Sequence, residues 1–261
     1  MDVPAAHYAH CESLIRERDR DLWLACLYAP QPARRHIHAI YAYALEAADV
    51  RAKVSQPLLG EMRLRWWTDA VAEIFAGAPP RRHEVVAPLA EAVAGGELPQ
   101  ELFDGMIAAR LFDAGDAPFE DLDGLRGYVD ATSGNLMELA ARHLGASGAA
   151  IPVVRRFARG AGIAVLLRAL PDLEALGRAP LPPDADVAAI AREGMAEIDA
   201  ARAERAAVPR AAAAALLPGW LADIRLRRAV ADPGCVLKGG LEVSEFRSRA
   251  VLLRRVATGR W

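Results

Sequence analysis

Within the stretch YAYALEAADVRAK, Tyr41 to Lys53, two carboxylates stand three residues apart, Glu46 and Asp49. On a helix that spacing puts both on roughly one face, and carboxylates so arranged can share a bound metal ion. Arg51 and Lys53 follow at once and add positive charge. A second acidic pair, Asp172 and Glu174, is two residues apart, which is not one helical face. Four arginines are candidates to converge on an anion: Arg63, Arg65, Arg110 and Arg168. A guanidinium holds phosphate through paired hydrogen bonds and keeps its charge. Arg63 and Arg65 cannot share a face, so one of them is expected in solvent. Glu61 precedes Arg65 by four residues, a helical pair worth a few tenths of about 1 kcal/mol. Tyr43, Trp66 and Trp67 read as core aromatics, or as the wall of an apolar tunnel. His36 and His38 cannot ligate jointly from one helix face. His7, His10 and Cys11 can share one, but no metal is expected there.

The elements that position these groups are helical. Long alternating Val, Ile and Thr runs are absent. Helices are predicted over 5–29, 33–53, 58–76, 83–94, 99–113, 120–144, 150–170, 185–206, 209–230 and 243–258. Pro30 and Pro32, Gly77 with Pro79 and Pro80, Gly95 and Gly96, and Gly145 and Gly148 punctuate them. Ile37, Ile40, Tyr41, Ala44, Leu45 and Ala48 recur at threes and fours, which predicts one apolar face. Pro171 is expected to interrupt its helix and to open the longest irregular stretch, Pro171 to Pro183. The fold class expected is all-α, one domain over 1–261.

Composition narrows the function. Hydrophobic residues make up 53%, enough for a sizeable core. A net charge of −2 excludes the strong basic excess of a nucleic-acid binder. Three scattered cysteines argue for a reducing compartment rather than a disulfide framework. No basic-then-apolar leader is visible, and no run reaches the ~18 apolar residues of a spanning helix. A cytoplasmic location is expected, or one peripheral to the inner face of the membrane. Charge is unevenly spread. Asp184 to Glu204 holds six acids against Arg192 and Arg202, whereas Arg225 to Trp261 holds nine basic residues and three acids. These read as two solvated faces of opposite sign that help each other pack, or as a basic region that touches anionic lipid or an acidic partner.

Four blocks in order carry a resemblance. Pro57 to Val71, PLLGEMRLRWWTDAV, with the preceding IYAYALEAADVRAKVSQ, resembles the squalene/phytoene synthase superfamily. So do RLFDAGDAPFEDLDGLRGY from Arg110, YVDATSGNLMELAARHLG from Tyr128 and GIAVLLRALPDLEALGRAPLP from Gly162. The resemblance implies one helical domain around a central cavity, with Tyr128 and Asn135 on its central helix. It also implies Mg²⁺ held by aspartate-rich motifs on two facing helices. In this chain those positions are depleted. Ala48, Asp49 and Ala52 stand at the first motif, where only Asp49 keeps a carboxylate, with Glu46 nearby. Ala169, Pro171, Asp172 and Glu174 stand at the second.

The pattern is similar to a divergent branch of the superfamily that includes mitochondrial assembly factors for respiratory complex I and their bacterial relatives. The stretches Gly60 to Trp67 and Leu167 to Pro171 carry that likeness. Two functions are implied. One is a non-catalytic protein without cofactor, which binds an isoprenoid or quinone tail or a respiratory-complex partner. The other is a divergent prenyltransferase, in which Glu46 and Asp49 hold one Mg²⁺ and Arg168 clamps diphosphate.

Overall fold

The computed structural model describes residues 3–49 and 57–261. Among the described residues every regular element is helical. The predicted helix over 5–29 is two helices, α1 (Ala5–Arg18) and α2 (Arg20–Cys26). Asp19 separates them. Its backbone is extended, and its carboxylate accepts from the Leu22 amide at 2.9 Å. An aspartate in that role stabilises a helix start by about 1 kcal/mol, enough to restart the chain in a new direction.

Helix α3 (Ala33–Ala48) runs through the middle of the molecule. Its apolar spacing predicts a single buried face, yet every residue from Ile37 to Ala44 is buried, as are Glu46 and Ala47. A helix buried on all sides is an interior element, and α1, α5 (Val86–Ala94), α6 (Gln100–Arg110) and α8 (Asn135–His143) surround this one. Helix α4 (Pro57–Phe75) closes the same side. Its Trp67 and the Phe103 of α6 both meet the Tyr43 ring edge-on, at 5.3 and 5.5 Å. Trp67 and Tyr43 are therefore core, and Trp66 is partly buried beside them.

Helices α7 (Leu122–Val129) and α8 form one continuous rod joined by a π-helical turn, Asp130–Gly134. Such a turn inserts a residue into the helical register and shifts the side chains around it. It is held from α9 (Ala150–Ala175). Arg155 bonds Asp130 at 2.5 Å and Glu138 at 2.6 Å, so one guanidinium ties together the two sides of the wide turn.

Helix α9 corrects an expectation, because it continues through Pro171 for another turn to Ala175. Proline in a helix interior costs about 3 kcal/mol, but here it lies near the end, where little helix depends on it. The last turn is closed by Leu176 N–H to Asp172 O at 3.2 Å and Arg178 N–H to Leu173 O at 2.9 Å. Gly177 follows with φ +76°, a conformation that L side chains rarely adopt, and reverses the chain. The irregular stretch thus begins at Leu176 rather than Pro171.

Helix α10 (Val187–Ala203) packs along α9 at a glycine crossing. A Cβ on Gly160 would run into the Gly194 carbonyl oxygen and lie 2.7 Å from Ile198. The predicted helix over 209–230 is a 3₁₀ segment (Ala212–Gly219) followed by α11 (Ala222–Ala231), with Pro218 and Gly219 at the change. A further 3₁₀ turn, Pro233–Lys238, leads to α12 (Glu245–Thr258).

The acids of α10 do not pair with the basic last third. Glu193 takes Arg126, and Glu197 and Glu204 take Arg159 and Arg156. The two regions do pack, α10 against α11, but they are joined by Arg202 bonded to Asp223 and to the Trp261 carbonyl rather than by acids of α10 meeting the basic residues. No helix among the described residues is long and apolar enough to cross a membrane.

Candidate functional site

The ends of α3 and α6 meet the α7–α8 rod and α9 around a cavity of about 200 Å³. Ala48, Arg110, Tyr128, Ser133, Gly162 and Ala169 line it. A cavity of about 150 Å³ holds one benzene ring, so two fifteen-carbon chains need roughly five times that. This cavity suits one ring-sized group. Phe112 and Phe119 stack at 4.0 Å in its wall. Val165 and Leu176, 50% and 57% exposed, give it an apolar mouth.

The polar wall is a four-residue network. Arg110 Nη1 donates to the Tyr128 hydroxyl at 2.6 Å and to Asp113 Oδ2 at 3.0 Å. The Tyr128 hydroxyl donates to the same Asp113 oxygen at 2.8 Å, and Arg178 Nη2 reaches Asp113 Oδ1 at 3.3 Å. Two guanidiniums thus face one carboxylate, a net balance of one positive charge. Arg110 Nε is buried with no acceptor among the described residues. Burial raises the Tyr128 phenol and outweighs Arg110, which lowers it, so the hydroxyl stays a neutral donor. Burial also pulls the Arg110 guanidinium down, but Tyr128 and Asp113 together shift it upward, and it stays charged. Arg178 is delivered by the reversal at Gly177, which turns the chain back toward the cavity at the end of α9.

Most of the other sequence candidates lie elsewhere. Glu46 is buried and accepts from Arg63 at 2.7 Å, while Asp49 pairs with Arg18 at 2.5 Å. Neither lines the cavity. Asp172 and Glu174 are exposed on the final turn of α9. Arg51, Ala52 and Lys53 lie outside the described residues. Arg65 is 81% exposed and 3.7 Å from Asp69, not paired with Glu61 as its spacing suggests. Arg168 faces Asp19 at 3.8 Å and Glu242 at 3.6 Å, away from any cavity anion. The Tyr43 hydroxyl donates to Phe103 O inside the core. Asn135 is held by Leu102 O and Arg155 beside the π turn.

Of the candidates among the described residues, only Arg110 and Tyr128 meet at the cavity. Sequence reasoning missed Asp113 and Arg178. Asp113 had a signal, three residues after Arg110, but in a segment that reads as a helix end. Arg178 had only its place after Gly177.

A Mg²⁺ cluster of the kind the fold implies does not fit these residues. Among the described residues, the positions of the two motifs that face the cavity are Ala48 and Ala169, and methyl groups cannot coordinate. Glu46 and Asp49 are engaged by arginines, Asp172 and Glu174 are exposed and do not line the cavity, and the segment 50–56, VRAKVSQ, contains no carboxylate.

The same architecture recurs in known proteins. The structure superposes on a dehydrosqualene synthase in complex with ligand with a TM-score of 0.80 at 15% identity, covering 97% of this chain and 96% of that one. It superposes on squalene synthase HpnC from Alicyclobacillus acidocaldarius with a TM-score of 0.68 at 18% identity, covering 97% and 94%. At such identities the likeness shows the fold. In sequence, the chain is 30% identical over 171 residues to NADH dehydrogenase (ubiquinone) complex I, assembly factor 6 of Mus musculus. That match covers 65% of this chain and 50% of the relative. The Homo sapiens protein of the same name is 29% identical over 167 residues, 63% and 49% of the two chains. The chain spans about half the length of these relatives. The squalene/phytoene synthase family model matches residues 15–247. With a family model matched over nearly its whole length, this chain belongs to the squalene/phytoene synthase family.

Proposed function

We propose that this chain is a non-condensing member of its family that acts in assembly of respiratory complex I and keeps its cavity for one isoprenoid-type ligand, such as the ring of a quinone. The observation that carries this reading is the pair Ala48 and Ala169. Both face the cavity where metal-binding carboxylates would have to stand. An allylic diphosphate leaves with heavy negative charge, which metal ions must neutralise, and the one carboxylate of this wall, Asp113, is already held by Arg110 and Arg178. The wall does offer two guanidiniums, Arg110 and Arg178, with N–H groups beyond those given to Tyr128 and Asp113, and these suit the carbonyl oxygens of a neutral ring. The apolar mouth at Val165 and Leu176 suits a tail. The names of the relatives support the assembly role.

Two measurements test the reading. A short-chain quinone titrated into the protein should bind without metal, about tenfold more weakly after Arg110→Gln, the loss of one good hydrogen bond to a charged donor. In a host with respiratory complex I, removing the chain should lower assembled complex. Normal complex levels without the chain would sink the assembly role.

A second reading has its own observation. Two guanidiniums against one carboxylate can also attract a diphosphate. A divergent prenyltransferase would then bind prenyl diphosphate tightly and turn it over.

A further inference from the structure

Helix α12 presents an apolar stripe that nothing among the described residues covers. Phe246, Ala250, Leu253 and Ala257 follow at intervals of four, three and four, so they share one face, and all are exposed. Phe246 is 86% exposed and Leu253 61%. The opposite face anchors the helix. Leu252 is buried, Ser248 donates to Asp21 at 3.2 Å, and Arg255 pairs with Asp223. The orientation of the stripe is therefore fixed by packing.

Arginines flank the stripe. Arg249 stands on one side, Arg247 and Arg254 on the other. Beside them a groove of about 970 Å³ between α11 and α12 adds Arg227, Arg228 and Arg260. Asp223 in that groove is already held by Arg202 and Arg255. Among the described residues no ion pair engages Arg227, Arg228, Arg247, Arg254 or Arg260. Glu193 and Glu197 of α10, and Glu204 just after it, are committed to arginines of α7 and α9.

We infer that α12 and the adjoining groove form a docking surface for an anionic lipid bilayer. A short helix with Phe and Leu on its outer face and arginines along both flanks lies in the membrane interface, its apolar side chains among the acyl ends and its guanidiniums at phosphate level. The charge is complementary to such a surface, where each arginine strengthens attachment by about fivefold. A protein partner fits less well. The core of a protein interface is depleted in charge, and here two large apolar side chains stand between Arg247 and Arg254 on one side and Arg249, paired with Glu245, on the other. The surface is separate from the cavity and does not depend on what the cavity binds.

The test is sedimentation of the full chain with vesicles of phosphatidylcholine, alone or mixed with phosphatidylglycerol. Anionic vesicles should capture the protein and neutral ones should not, and added salt should release it. Arg247→Gln with Arg254→Gln should weaken capture by roughly 25-fold. Phe246→Ser with Leu253→Ser should weaken it by about tenfold or more. These side chains are exposed, so both variants should keep the wild-type circular dichroism and melting temperature. Inorganic phosphate should release no more protein than chloride of equal ionic strength. The inference is overturned by equal capture on neutral vesicles, by no capture on anionic ones, by variants that bind as wild type, or by specific release with phosphate.

Discussion

Arg110 and Tyr128 are joined by a 2.6 Å hydrogen bond that ties the end of α6 to the α7–α8 rod, with Asp113 bonded to both. The bond fixes the polar side of the cavity. It also makes that side cationic, where a diphosphate synthase of this fold would need carboxylates.

Removing either partner should cost unequal amounts. Tyr128→Phe leaves Arg110 and Asp113 in direct contact and should cost about 1 kcal/mol. Arg110→Ala removes one of two cations from a largely buried carboxylate and should cost about 3 kcal/mol. Urea unfolding of the two variants measures the difference, and equal losses would show that the network is not centred on Asp113.

The α9–α10 crossing should tolerate no side chain at its closest point. Gly160→Ala forces a methyl group onto the Gly194 carbonyl and Ile198, and backbone cannot yield as a side chain does. The expected cost is about 3 kcal/mol. Gly127→Ala on α7 meets nothing within 4 Å and should be neutral or stabilising by up to about 1 kcal/mol. Thermal melts of both variants separate packing from a general sensitivity to substitution.

Acid should loosen the contact between α3 and α8. His36 Nδ1 lies 3.0 Å from His143 Nε2, a distance that suits one shared proton and not two. Burial, and then His36, lower His143 to about 4 from the ordinary 6.5. Burial likewise lowers His36, against Glu91, which raises it. Between those two pH values the unfolded chain binds a proton at His143 that the folded chain refuses. Stability therefore falls as pH drops from about 6.5 to about 4 and levels off below. Solvent access to the ring reduces the loss to on the order of 1–2 kcal/mol. Melting temperature against pH checks this, and His143→Gln should flatten the slope over that window.

Much of the fold was legible because helices announce themselves locally. Proline and glycine pairs marked most limits, and the blocks around Trp66–Trp67 and Gly162–Leu170 carried the family. The failures came where tertiary context outweighed local preference. Asp19 capped a new helix inside an apolar pattern. Burial from several sides hid α3's second face, and the closed final turn let α9 pass Pro171. At the site, the substitution at Ala48 and Ala169 was legible and the replacement network was not. Arg178 reaches Asp113 across 65 positions through a glycine reversal, and no spacing rule foresees such a contact. Arg168, attractive by its place on α9, points to Asp19 and Glu242 because helical phase, not proximity in sequence, decides which side of α9 meets the cavity.

The most direct measurement is calorimetric titration of the purified chain with farnesyl diphosphate, with and without Mg²⁺, for wild type and Asp49→Ala. A cavity faced by Ala48 and Ala169 should give the same weak or absent heat in all four titrations. Tight binding that requires Mg²⁺ and is lost in Asp49→Ala would contradict a non-condensing cavity and return the chain to prenyl-diphosphate chemistry.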